Sequence, residues 1–164
     1  GLIQKGCRFY EGLVRVPLIW SWGEQFGKDV RSNALVELTD IVPTLLDAVG
    51  LDVPNYVTGK SLYPILTGEQ SPEKHRDYVR CEYIDALDLP DDSYATMFYD
   101  GRYKLNVYHS HNLGELYDLQ EDPDEFDDLW DSPTHQQVKL ELLQQSFNAT
   151  MQTMYSGLGR RGPM

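Results

Sequence analysis

Apolar residues recur at three- and four-residue spacing between Ile41 and Val49, where Ile41, Val42, Leu45, Leu46 and Val49 line up. This spacing predicts a helix with one apolar face. Thr39 or Asp40 can cap its start, and Pro43 falls in the first turn, where a missing N–H costs little. Gly50 follows its end and Pro54 prevents resumption. Leu62, Ile65 and Leu66 predict a second helical turn, stopped by Gly68. The β-branched and apolar run Leu13–Trp20 reads as a strand near a core, with Pro17 at an edge or strand end. Residues 21–32 read as a loop. Farther on, Tyr78–Ile84 reads as a strand. Tyr94–Tyr99 and Arg102–Tyr108 flank Asp100-Gly101 and predict a hairpin with a two-residue type I′ turn. Residues 86–93 read as an acidic loop, and Glu115–Asp118 as a further short strand. Helical spacing returns from about Thr134 to Met154, with Leu140, Leu143, Phe147, Met151 and Met154 as the packing face. Together the second half predicts an antiparallel sheet with one polar face and a helix on the other. The polar stretch 69–75, with Pro72, is the expected subdomain boundary.

The 164 residues carry a formal net charge of -12. That charge argues against nucleic acid and against anionic membranes as partners, since both call for Lys and Arg. No apolar run reaches the ~20 residues that a membrane helix needs. The two cysteines, Cys7 and Cys81, have neither metal spacing nor a disulfide framework and read as two buried thiols. Compartment and oligomeric state are unread.

The densest chemistry lies at the front, in Lys5-Gly6-Cys7-Arg8-Phe9-Tyr10-Glu11-Gly12-Leu13-Val14-Arg15-Val16-Pro17. Lys5 offers three donors on a compact charge, suited to a tetrahedral oxyanion, although a lysine in a loop is also what an ordinary solvated surface supplies. His109-Ser110-His111 would put both rings on one face if a strand ran through them, as metal ligands could use. No third ligand is evident, and a plain surface pair is the other reading. The acidic run Glu121–Asp128 lacks the calcium-loop pattern and reads as a solvated turn. Asn148-Ala149-Thr150 fits a glycosylation sequon but falls on the predicted last helix and reads as chance.

The front segment resembles the part of sulfatases of form Lys-Gly, a few residues, Tyr-Glu-Gly, then Arg-Val-Pro. Leu38–Leu46 with Gly50, Gly59-Lys60-Ser61-Leu62, Asp100–Leu105, and Glu115–Leu119 with Asp122-Pro123 resemble later sulfatase segments in the same order. The resemblance implies an arylsulfatase-like member of the alkaline phosphatase superfamily and an α/β fold class. Residues 1–75 would be the C-terminal part of an α/β sandwich catalytic domain. Residues 76–157 would be a small α+β subdomain, a four-stranded antiparallel sheet with a C-terminal helix, and 158–164 a tail.

It further implies sulfate-ester hydrolysis by a formylglycine nucleophile and a divalent cation, usually Ca2+, with Lys5 binding the sulfate and stabilising charge as the ester breaks. No Cys or Ser here sits in the Cys/Ser-x-Pro/Ala-x-Arg motif that yields formylglycine, and the Asp-His metal pair is absent. The chain, opening on Gly1 inside a motif, therefore reads as a C-terminal fragment. Nucleophile and metal ligands would lie upstream, no metal ligand would lie in the chain, and the fragment alone would be inactive. Glu11 and Arg15 are expected to hold the loop near Lys5. His109 and His111 are expected at the rim, touching the organic group of a small-molecule or carbohydrate sulfate ester. A phosphonate or phosphate monoester hydrolase of the same superfamily, and a non-catalytic fragment or degenerate homologue, remain the alternatives.

Overall fold

The computed structural model describes residues 6–85 and 93–154. Their contacts divide into two compact units, one of residues up to Leu18 and from Asp77 to Ser146, the other of Ile19 to Arg76 and Phe147 onward. The acidic loop expected at 86–93 lies, except for Ser93, outside the described residues, as do Lys5 and the tail.

In the first unit, β1 (Val79–Ile84), β2 (Tyr94–Tyr99), β3 (Tyr103–Tyr108) and β4 (Leu113–Asp118) form one antiparallel sheet in sequence order. All four strands predicted between Tyr78 and Asp118 are present. The β2–β3 turn sits one residue later than the Asp-Gly reading. Tyr99 pairs with Lys104, so Gly101-Arg102 is the two-residue loop. Gly101, at φ 100°, takes the first central position, where a type II′ turn demands glycine. Asp100 Oδ1 accepts the N–H groups of Arg102 and Tyr103 and fixes the corner. The slip moves the pairing by two residues and leaves every side chain on its expected face.

Neither face of the sheet is a polar, solvated one. Strand alternation and register put Ala95, Met97, Lys104, Asn106 and Tyr108 on one face and Phe98, Leu105 and Leu116 on the other, and all of these are buried. Phe9 enters the first face and packs with Ala95, Met97 and Tyr108, flanked by Cys7, Val14 and Cys81. On the second face Phe98 stacks on Tyr78, ring centroids 4.9 Å apart.

No strand forms at Leu13–Trp20. A helical turn, α1 (Glu11–Val14), occupies its start, and Val16 and Ile19 are exposed. A strand needs a ladder partner, and among the described residues none pairs with this stretch.

The second unit holds α2 (Ile41–Ala48), entered through a single 3-10 turn at Leu38–Asp40, and α3 (Tyr63–Leu66). Gly50 (φ 71°) and Gly68 (φ 82°) end them in the left-handed region. The expected apolar face of α2 is not buried. Val42, Leu45 and Val49 are exposed, and Pro43 and Thr44 are the buried residues. The centre of this unit is polar. Asp40, wholly buried, accepts the N–H of Glu37 (2.9 Å) and of Lys60 (2.7 Å) and pairs with Arg76, which also reaches Glu37 at 2.7 Å. Asp40 thus works in the entry turn and across the unit, with no side-chain cap on α2 itself. Thr44 donates to the Asp40 carbonyl and accepts the Leu62 N–H. A Cβ on Gly59 would lie 2.0 Å from the Thr39 carbonyl oxygen, so only glycine permits this approach.

The last helix, α4 (Gln136–Thr153), follows a 3-10 turn at Pro133–His135. Its buried stripe is Leu142, Ser146 and Ala149, and Leu140, Phe147 and Met151 are exposed. The helical period is as expected, but the buried face is rotated from the bulkiest residues to the smaller ones. Among the described residues no helix is long and apolar enough to cross a membrane.

Candidate functional site

The segment that follows Lys5 is held against the sheet at several points. Phe9 is buried, and the Arg8 guanidinium lies over the Tyr108 ring, 4.7 Å from its centroid. Tyr108 in turn donates to Glu115 Oε2 (2.9 Å), which also accepts from Asn106 Nδ2 (2.9 Å). Burial first, and then the Glu115 charge, push the Tyr108 phenol well above its ordinary value, so it stays a neutral donor. Burial also pushes the Cys7 thiol up, against the opposing pull of Arg8, and disfavours a reactive thiolate.

The strongest tether is the fully buried Lys104. Its Nζ donates to the Phe9 carbonyl (2.9 Å), to Glu11 Oε1 (2.6 Å) and to Glu125 Oε1 (2.8 Å). Glu125 Oε2 accepts the Glu11 N–H at 2.7 Å. The Glu11 carboxylate is therefore committed to an ion pair. Arg15 stands 3.8 Å from it with its side chain 79% exposed.

Sequence reasoning missed Lys104 and Glu125. The available signal was a lysine in the middle of a hairpin strand, between residues expected to be covered. The acidic run is correspondingly more than a solvated turn. Glu125 is spent on Lys104, Asp128 Oδ1 accepts the N–H of Leu116 and of Trp130, and Asp122 Oδ2 accepts that of Asp127.

The two histidines do not share a strand face. β3 stops at Tyr108, and residues 109–112 form a turn in which Ser110 (φ 68°) and Asn112 (φ 52°) are left-handed, so strand alternation does not reach them. His109 is exposed, with Nε2 3.0 Å from Thr96 Oγ1, and lines an open cleft of about 380 Å³ with Tyr108, Ser110, Asn112, Leu113 and Trp130. His111 is exposed on the turn and is not part of the cleft lining. Trp130 forms one wall. A Cβ on Gly114 would fall 2.2 Å from its ring, and the Lys139 ammonium lies 4.4 Å from the ring centroid.

Among the described residues no group of three or more His, Cys, Asp or Glu side chains is arranged to hold a metal ion. The described residues therefore offer no donor set that fits the calcium the resemblance implies.

Residues 3–152 match the family model described as N-sulphoglucosamine sulphohydrolase, C-terminal. The chain belongs to this sulfatase family. It is 32% identical over 142 residues to a Delta 4,5-hexuronate-2-O-sulfatase of Bacteroides thetaiotaomicron, covering 85% of this chain and 29% of that protein. In three dimensions it resembles a 2-O GAG sulfatase (TM-score 0.62, 30% identity, 70% of this chain and 24% of the other). It also resembles a phosphonate monoester hydrolase from Silicibacter pomeroyi (TM-score 0.65, 28% identity, 74% and 26%). The chain thus spans less than a third of each of these sulfatase-family relatives. The α/β class with a four-stranded antiparallel sheet and a C-terminal helix agrees with this membership.

Proposed function

We propose that the polypeptide carrying this sulfatase-family region hydrolyses sulfate esters, with Lys5 as a ligand of the sulfate. The observation that carries the reading is the tethering of residues 7–11 to the sheet by Phe9, Arg8 and Lys104. A lysine four residues ahead of an anchored Phe9 has less volume to search, and an ammonium held at a sulfate oxygen stabilises the charge that develops there. Relatives named as a hexuronate-2-O-sulfatase and a 2-O GAG sulfatase favour a sulfated carbohydrate over a simple aryl ester. The cleft beside His109, walled by Trp130, is suited to part of such a sugar, with His111 beyond it on the turn. The family resemblance implies a formylglycine that would attack sulfur and a divalent cation that would polarise the sulfate; no Cys or Ser of this chain stands in the formylglycine motif, and the described residues offer no donor set for the cation.

The test is Lys5→Ala in the full-length protein, assayed with 4-nitrophenyl sulfate and a 2-O-sulfated hexuronate. Loss of one oxyanion donor lowers kcat by about two orders of magnitude or more. Near-normal kinetics remove Lys5 from the site. The likeness to a phosphonate monoester hydrolase favours one second reading, a phosphonate ester as substrate. Higher kcat/KM on a phenyl phosphonate monoester than on either sulfate would select it.

A further inference from the structure

Lys104 presents an ammonium with all three donors engaged, on Phe9, Glu11 and Glu125, inside the protein and away from the cleft lining. The three acceptors come from chain segments 21 to 95 residues away from it. Glu125, 4% exposed at its side chain, holds a left-handed backbone (φ 59°), an uncommon conformation for a residue with a side chain. Its second oxygen closes the ring by accepting the Glu11 N–H. Two of the three contacts of Lys104, and one of the two of Glu125, land on residues 9–11. A buried lysine costs desolvation and gives direction in return, since three hydrogen bonds from one nitrogen set both the height and the rotation of the segment they hold.

We propose that Lys104, with Glu125, is a positioning residue for the sulfate site. It sets the placement of the Lys5 segment through the Phe9 carbonyl and Glu11 and touches no substrate. This rests on the reading of Lys5 as a sulfate ligand. Phe9 follows Lys5 by four residues, so the covalent chain keeps the two within at most about 14 Å, and anchoring residues 9–11 limits the volume open to Lys5. A misplacement of about 1 Å in a reacting assembly costs on the order of a hundredfold in rate.

The experiment is a double-mutant cycle in the full-length protein with 4-nitrophenyl sulfate as substrate. Lys104→Met and Glu125→Gln are each made alone and on Lys5→Ala, with circular dichroism and thermal melting to confirm the folded fraction. Acting through Lys5, each change lowers kcat/KM ten- to hundredfold in the wild-type background and less than about twofold on Lys5→Ala. Equal fold-losses in both backgrounds, or no loss in the first, overturn the positioning role and leave Lys5 as sulfate ligand untouched. A Lys5→Ala variant with near-normal kinetics overturns the sulfate reading itself, and the positioning role with it. If Lys104→Met does not fold, Glu125→Gln carries the same cycle, because it keeps an acceptor for the Glu11 N–H and turns an NH2, which cannot accept, toward Lys104.

Discussion

The four strands bury Phe98, Leu105 and Leu116 almost completely, whereas the two short helices of the other unit enclose Asp40 and Thr44 and leave Leu38, Val42, Leu45 and Val49 exposed. The sheet unit is held by apolar packing, to which the Lys104 ion pairs are added on one face. The helical unit is held by one carboxylate that gathers the entry turn of α2, the Gly59-Lys60 stretch and Arg76. Burial of hydrocarbon tolerates changes of salt and pH, while a buried carboxylate with a cationic partner depends on both remaining present and charged. The two halves of this chain should therefore fail under different insults.

The largest expected effects set one centre against the other. Asp40→Ala leaves Arg76 buried without its partner and strands two backbone donors, and is expected to cost about 3–5 kcal/mol. Leu116→Ala opens a cavity between strands and is expected to cost about 2–5 kcal/mol. Urea denaturation separates the two by salt dependence: the cost of Asp40→Ala shrinks as salt rises, and that of Leu116→Ala does not. Equal salt response in both series would break the contrast.

A smaller effect comes from acid. Burial outweighs the pull of Asp40, and with Arg76 and Lys60 nearby it holds His75 below its ordinary imidazole value. The folded state then keeps His75 neutral while the unfolded chain takes up a proton near 6.5. Stability from this group is complete above about pH 6.5 and is lost as the pH falls toward the folded value. In the sheet unit, hydrogen bonds from Arg102 hold the Asp118 carboxyl below its ordinary 3.8, so its contribution persists until the pH falls below that value. Thermal melts between about pH 7.5 and 5.5 should show a decline that His75→Gln abolishes and Asp118→Asn does not. The smallest effect is expected on the outward face of α2. There Val42→Ser and Leu45→Ser should each change the stability of this chain by no more than about 0.5 kcal/mol. A larger loss in a longer polypeptide would show that other residues cover this face.

The same contrast explains what could be read from the sequence. The four sheet strands, the helices α2, α3 and α4, and the stops at Gly50 and Gly68 followed from period and punctuation, which are local. Which stripe of a helix faces inward is not local. α4 carries a bulky stripe through Leu140, Phe147 and Met151 and a slimmer one through Leu142, Ser146 and Ala149, and only the surroundings choose between them. At Leu13–Trp20 the β-branched run had the composition of a strand without a neighbour to bond. In the candidate site Glu11 was legible as a structural group because the family motif contains it. Lys104 and Glu125 were not, because a buried ion pair joins residues 21 apart and leaves no periodic trace. His109 and His111 looked like a strand pair until the turn at residues 109–112 separated their directions.

Gly114 and Trp130 have a practical consequence. The glycine lets the indole lie flat on β4 at the mouth of the cleft, and the chain's other two tryptophans, Trp20 and Trp22, belong to the helical unit. With those two replaced by phenylalanine, the emission of the remaining indole becomes an optical gauge confined to the cleft wall. Any ligand that settles beside His109 would then report itself by light alone, with no turnover needed.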